Sequence, residues 1–272
     1  MDRRRFLASL GPMSTVTLAG CGDVLDGEPA GPFPNADWRD GDGLDVETLA
    51  TSHIDAAVDA GGVTLYSTAR TGHDGESEPS PWLPDQTYES RYDLANERQL
   101  LRQAVTESDE TEVTELYVTP EEALFREQLG SEVTYDRQPL DGSAGTTEET
   151  MRVDALVGIR VPQGSAGDDV VYEGLENWEP TFEASVDVDD EPAARFAADS
   201  FDGSRPVPAT VETASATVDI LESGFVPRIE QRWEGSHDGT TASVDVDIEY
   251  RDRGVSVSEP DWVEEARTET TD

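Results

Sequence analysis

Lysine is absent from this sequence. All 19 basic side chains are arginine, set against 60 aspartates and glutamates, for a net charge of −41. A phosphate backbone demands clustered cations, so nucleic acid is excluded as a partner. Cysteine occurs once, at Cys21, and the histidines are His53, His73 and His237. No internal disulfide can form, and nothing among the histidines has metal-ligand spacing. Also missing are a Ser, His and Asp motif, a glycine-rich phosphate loop and an HExxH helix. The expectation is a protein that is not an enzyme and carries neither cofactor nor metal.

In place of lysine there is carboxylate, spread along the whole chain and alternating with apolar residues, which is not the pattern of a disordered acidic tail. Short carboxylates hold water and cations, whereas the long lysine stem exposes apolar area and arginine keeps a planar fork for ion pairs. A folded surface this acidic repels itself at ordinary ionic strength, and molar salt shortens the screening length to roughly 3 Å. These features resemble proteins of halophilic archaea.

The first 20 residues read as an export signal. Arg3 and Arg4 are followed by Arg5, Phe6 and Leu7, the pattern read by the twin-arginine (Tat) machinery. The run from Ala8 to Ala19, with Gly11, Pro12, Ser14, Thr15 and Thr17, is too short and too polar to be a membrane span of roughly 20 residues. Leu18-Ala19-Gly20-Cys21 matches the lipobox of envelope lipoproteins, which implies cleavage before Cys21 and lipid on its sulfur. The reading is therefore a signal peptide over 1–20 and a lipidated, flexible acidic linker over 21–43. Within the linker, Asp40 to Asp45 reads as a solvated turn and lacks the spacing of a calcium loop.

A single domain is expected over 44–265. Asp45 looks like a helix cap, and Val46, Leu49, Ala50, His53, Ile54, Ala57 and Val58 share one helical face that Gly61-Gly62 ends. His53 on that face reads as a packed histidine. Strands follow at 63–68, 87–94, 99–105 and 112–118, with a polar loop at 72–85. Residues 121–129 fit either a helix or a hairpin partner of 115–118, with 132–138 as the next strand. After a loop at 141–147, helices are expected at 148–159 and 169–178, then strands at 181–188, 193–200 and 214–221.

The clearest alternation lies late in the chain, where Ala242, Val244, Val246, Ile248 and Tyr250 interleave with Ser243, Asp245, Asp247, Glu249 and Arg251. Ser236 to Gly239 is the turn that joins this strand to 226–233, and Asp252-Arg253-Gly254 leads into a further strand at 255–258. Asp245 and Asp247 read as a solvated charged face. Pro260-Asp261-Trp262 closes the domain, and 266–272 is expected to be a disordered acidic tail.

The order of Tat signal, lipobox, acidic linker, Asp42-Gly43-Leu44 before the helix with His53, Leu65-Tyr66-Ser67, Glu132-Val133-Thr134-Tyr135 and the closing Pro260-Asp261-Trp262-Val263-Glu264-Glu265-Ala266 resembles a family of haloarchaeal lipoproteins. That family is similar in layout to LolA/LppX-type envelope lipoproteins. The middle of this chain departs from the pattern at Gln163-Gly164-Ser165-Ala166-Gly167. The resemblance implies an α+β, mainly β fold in which a strongly curved antiparallel sheet, a half-open barrel, wraps a few helices. It further implies a domain held at the outer face of the cell membrane through lipid on Cys21, with a cavity for a lipid or lipidated molecule. Trp233, Val244, Val246 and Ile248 are the expected cavity-facing residues. A cell-envelope scaffold with a solid core is the competing expectation.

Overall fold

The computed structural model describes residues 31–74, 84–107, 110–140, 147, 175, 177–204 and 207–270. The signal peptide, Cys21 and nearly all of 141–176 lie outside the described residues.

Helix α1 (Val46–Asp59) forms as its spacing predicts. Asp45 caps it, its side chain accepting from the Thr48 N–H at 3.0 Å and the Thr48 hydroxyl at 2.8 Å, which satisfies donors the first turn leaves open. Leu49, His53, Ile54 and Ala57 are its buried face. At Gly62, with φ at 142°, a Cβ would lie 2.0 Å from the Tyr92 carbonyl oxygen, so only glycine lets the chain turn from helix into sheet there.

Thirteen strands follow the chain among the described residues. Two are a short hairpin before the helix, β1 (Arg39–Asp40) and β2 (Gly43–Leu44). The others are β3 (Gly62–His73), β4 (Asp85–Asp93), β5 (Arg98–Glu107), β6 (Glu110–Val118), β7 (Glu122–Leu129), β8 (Glu132–Pro139), β9 (Thr181–Val188), β10 (Glu191–Ala198), β11 (Thr210–Leu221), β12 (Arg228–His237) and β13 (Thr240–Arg251). They build one 11-stranded antiparallel sheet in the order β8-β7-β6-β5-β4-β3-β13-β12-β11-β10-β9. Every neighbour is sequential except β3 with β13, the pairing that joins two meanders. The free edges, β8 and β9, follow one another among the described strands, and the curved sheet stops short of closing. This is the half-open, mainly β barrel that was expected.

Two-residue turns set the register of two hairpins, one of them at the expected turn of 236–239. Asp238-Gly239 has φ of 49° and 82°, and Asp189-Asp190 has 51° and 66°, the doubly positive pair that matches the twist of a hairpin. β13 has the expected faces, with Ala242, Val244, Val246, Ile248 and Tyr250 all buried. Opposite them, Asp245 pairs with Arg232 at 3.3 Å and Asp247 with Arg228 at 2.9 Å.

The sheet is covered on both faces, by different elements. On the inner face α1 meets β3, β13, β12 and β11 in the main core. On the outer face a second helix, α2 (Val263–Glu269), packs Val263 and Ala266 on Tyr117 and Leu124, with Val257, Leu100, Tyr135 and Trp262 around them. This resolves 121–129 as strand β7. Leu124 points to α2 and Phe125 to the inner side, so apolar residues on both faces gave a run that pattern alone could not assign.

Three expectations change. Residues 255–258 form no strand: β3 already occupies the place beside β13, and the Val257 N–H donates instead to Asp93 Oδ2 at 3.0 Å. The tail expected from residue 266 is helical, with Ala266 buried and Arg267 paired to the buried Glu122 at 2.8 Å. The end of the linker, from Phe33 on, is docked. Trp38 is buried edge-on to Phe196 at 6.0 Å, and the Arg39 guanidinium lies 5.2 Å from the same ring. The expected helices at 148–159 and 169–178 lie outside the described residues, except that Trp178 makes an antiparallel bridge to Phe201.

Candidate functional site

Register assigns each strand residue of β3–β8 to a face, because alternate side chains point to opposite sides. Leu65, Ser90, Leu101, Leu116, Phe125 and Asp136 are cross-strand partners in one continuous row on the inner side. Cover fades along that row. Inner residues of β3 and β4 are buried, including Leu65, Ala69, Gln86, Tyr88 and Ser90. On β5 and β6, Leu101, Gln103, Val105, Leu116 and Val118 are half-buried. On β7 and β8, Glu127, Thr134 and Asp136 are exposed, and Leu129 at 51% is the one exposed large hydrophobic among the described residues. The inner face is thus filled from β9 to β4 and opens from β5 to β8 beyond the row of Gln99 and Ala123, which stay buried, with Leu101, Leu116 and Phe125 as an apolar ladder across three strands.

The buried amides beside this ladder are mostly satisfied. Gln99 Nε2 donates to the Ser90 hydroxyl at 2.9 Å, and Gln103 Nε2 to Gln86 Oε1 at 3.4 Å. Gln86 Nε2 is buried with no acceptor.

Trp233, Val244, Val246 and Ile248 lie on the filled part of the same inner face, all buried in the main core. Trp233 packs on Trp178 at 5.4 Å and Phe201 at 5.6 Å between ring centroids. Register brings these residues onto one face with Leu101, Leu116 and Phe125, which sequence reasoning did not single out. The available signal was the Leu-Leu and Leu-Phe doublets at 100–101 and 124–125, each serving both faces.

His53 is a packed histidine, 1% exposed. Its Nδ1 accepts from the Val226 N–H at 3.1 Å, and its ring stacks on Phe225 at 5.0 Å and meets the edge of Tyr250 at 4.3 Å. Burial lowers its pKa to about 3, so the ring is a neutral acceptor that ties α1 to the segment before β12. Arg3, Arg4, Phe6, Leu7, Leu18, Ala19, Gly20 and Cys21 lie outside the described residues. No helix among the described residues is long and apolar enough to cross a membrane.

The fold and this site define an open antiparallel barrel with one inner wall that no described element covers. No protein-family model matches the chain, and no curated protein matches it. Solved structures that it is similar to include a DUF1329 family protein from Desulfovibrio piger, at 8% identity and a TM-score of 0.26, covering 79% of this chain and 96% of that one. A LolA superfamily protein from Nitrosomonas europaea has 11% identity and a TM-score of 0.23, covering 80% and 96%. A putative outer membrane lipoprotein-sorting protein domain from Vibrio parahaemolyticus has 8% identity and a TM-score of 0.23, covering 79% and 98%.

Proposed function

We propose that the chain is a brine-adapted envelope lipoprotein that binds or carries an apolar ligand, a lipid or lipidated molecule, without catalysing a reaction on it. Arg3, Arg4, Phe6 and Leu7 direct Tat export, Leu18-Ala19-Gly20 marks the cleavage site, and lipid on Cys21 holds the domain at the outer face of the cell membrane. The ligand lies on the inner face of the barrel, over the ladder of Leu101, Leu116 and Phe125, with Trp233, Val244, Val246 and Ile248 as the floor behind it. The observation that carries this reading is the uncovering of apolar inner residues from β5 to β8, next to a core that is otherwise closed. A soluble domain rarely leaves contiguous apolar surface open without a use for it.

The competing reading is a scaffold module with a solid core, which the dense packing of Trp178, Phe201 and Trp233 favours. Uptake of the apolar fluorophore Nile red in molar salt separates the two: a carrier enhances its emission, a scaffold does not. Anchoring is tested separately. Each buried CH₂ of a lipid chain contributes about 0.8 kcal/mol, so Cys21→Ser removes nearly all membrane affinity. Fractionation is expected to move the variant from the membrane into the medium or leave it as unprocessed precursor. A wild-type Cys21 that mass spectrometry finds free of lipid contradicts the anchor.

A further inference from the structure

Charge is sorted between the two faces of β3–β8. Register puts all six arginines of these strands, Arg70, Arg91, Arg98, Arg102, Arg126 and Arg137, on the outer face. The outer carboxylates take ion pairs there, Glu89 with Arg91 at 2.7 Å and Glu115 with Arg126 among them. The inner face of β5–β8 carries the exposed carboxylates of Glu107, Glu110, Glu112, Glu127, Glu132 and Asp136 and no basic side chain among the described residues. They frame the Leu101, Leu116 and Phe125 ladder along the β7–β8 edge and at the β5–β6 turn.

A second, independent feature of the same face asks for a ligand atom. Gln86 is 4% exposed, and its cross-strand partner on β5 is the half-buried inner residue Val105. Its Oε1 accepts from Gln103, while its Nε2 has no acceptor. A buried donor left unpaired costs the full desolvation of the group, and a neutral oxygen recovers it.

Resting on the carrier reading, we infer that this wall selects a neutral amphiphile, an apolar chain bearing a hydroxyl, ester or ether oxygen, and rejects chains that end in an anion. The chain lies on the apolar ladder, the oxygen accepts from Gln86 Nε2, and the framing carboxylates repel a carboxylate or phosphate. Molar salt does not erase the choice. Screening over roughly 3 Å removes distant repulsion and leaves that between groups in contact.

Displacement of Nile red from the mature domain in molar salt tests this, with decanol, methyl decanoate and decanoate as competitors below micelle formation. The expected result is displacement by decanol and methyl decanoate at concentrations about tenfold lower than by decanoate. The double change Glu112→Gln with Glu127→Gln, at exposed positions, narrows that gap, and Gln86→Leu weakens decanol about fivefold while leaving decane unchanged. Decanoate that competes as well as decanol overturns the selectivity and leaves the carrier standing. A domain that takes up no Nile red overturns both.

Discussion

Moved from molar salt into dilute buffer, the mature domain will unfold, and β5–β8 will open before the rest of the sheet. The chain carries −41, and the first 20 residues hold three arginines and one aspartate, so the processed protein is two charges more negative still. Dilution lengthens the screening distance from roughly 3 Å at 1 M to roughly 30 Å at 0.01 M, a span that reaches across the domain. Repulsion then acts among all carboxylates at once against a net stability of only about 5–15 kcal/mol. The first strands to yield are those whose inner carboxylates have no arginine beside them and whose inner face has least cover. Far-ultraviolet circular dichroism is expected to lose its β signal on dialysis, and hydrogen exchange at intermediate salt to rise on β5–β8 first. A spectrum unchanged in dilute buffer contradicts this.

Acid is the second large effect, and it runs through His53. The unfolded chain protonates this ring below about pH 6.5, the folded chain only below about pH 3. Between those values the unfolded state binds one more proton, so stability falls as pH falls, by about 1.4 kcal/mol per unit and on the order of 5 kcal/mol across the window. Burial is the cause, since Phe225 and Tyr250 close on the ring, and the Arg253 guanidinium lies over the Phe225 ring. His53→Gln keeps a side-chain acceptor for the Val226 N–H but cannot protonate. Denaturant unfolding of both proteins between pH 7 and pH 4 is expected to show a difference in stability that shrinks by about one proton's slope. Parallel curves contradict the assignment.

The elements that the sequence made legible are those with one covered face. β13 alternates cleanly because α1 packs on one side and Arg228 and Arg232 take the carboxylates on the other. α1 shows its stripe and its Asp45 cap for the same reason. β7 was ambiguous because Leu124 and Phe125 each serve a different face, and the cover on Leu124 comes from α2, more than 130 residues later in the chain. Residues 255–258 looked like a strand, and only the long-range pairing of β3 with β13 shows that the place is taken. The same limit hid the open wall. Leu101, Leu116 and Phe125 become one ladder only through the register of three hairpins, whereas the alternation of β13 is visible within a single strand.

The central claim is that this ladder holds an apolar ligand. Nile red titration of the mature domain in molar salt, wild type beside Phe125→Glu, tests it most directly. Phe125 is half-buried and lies outside both core clusters, so its loss removes apolar contact from the wall with little effect on the unfolding midpoint. The account predicts enhanced emission with the wild type and an affinity at least about tenfold weaker with the variant. A wild type that leaves the dye dark, or a variant that binds it equally well, contradicts it.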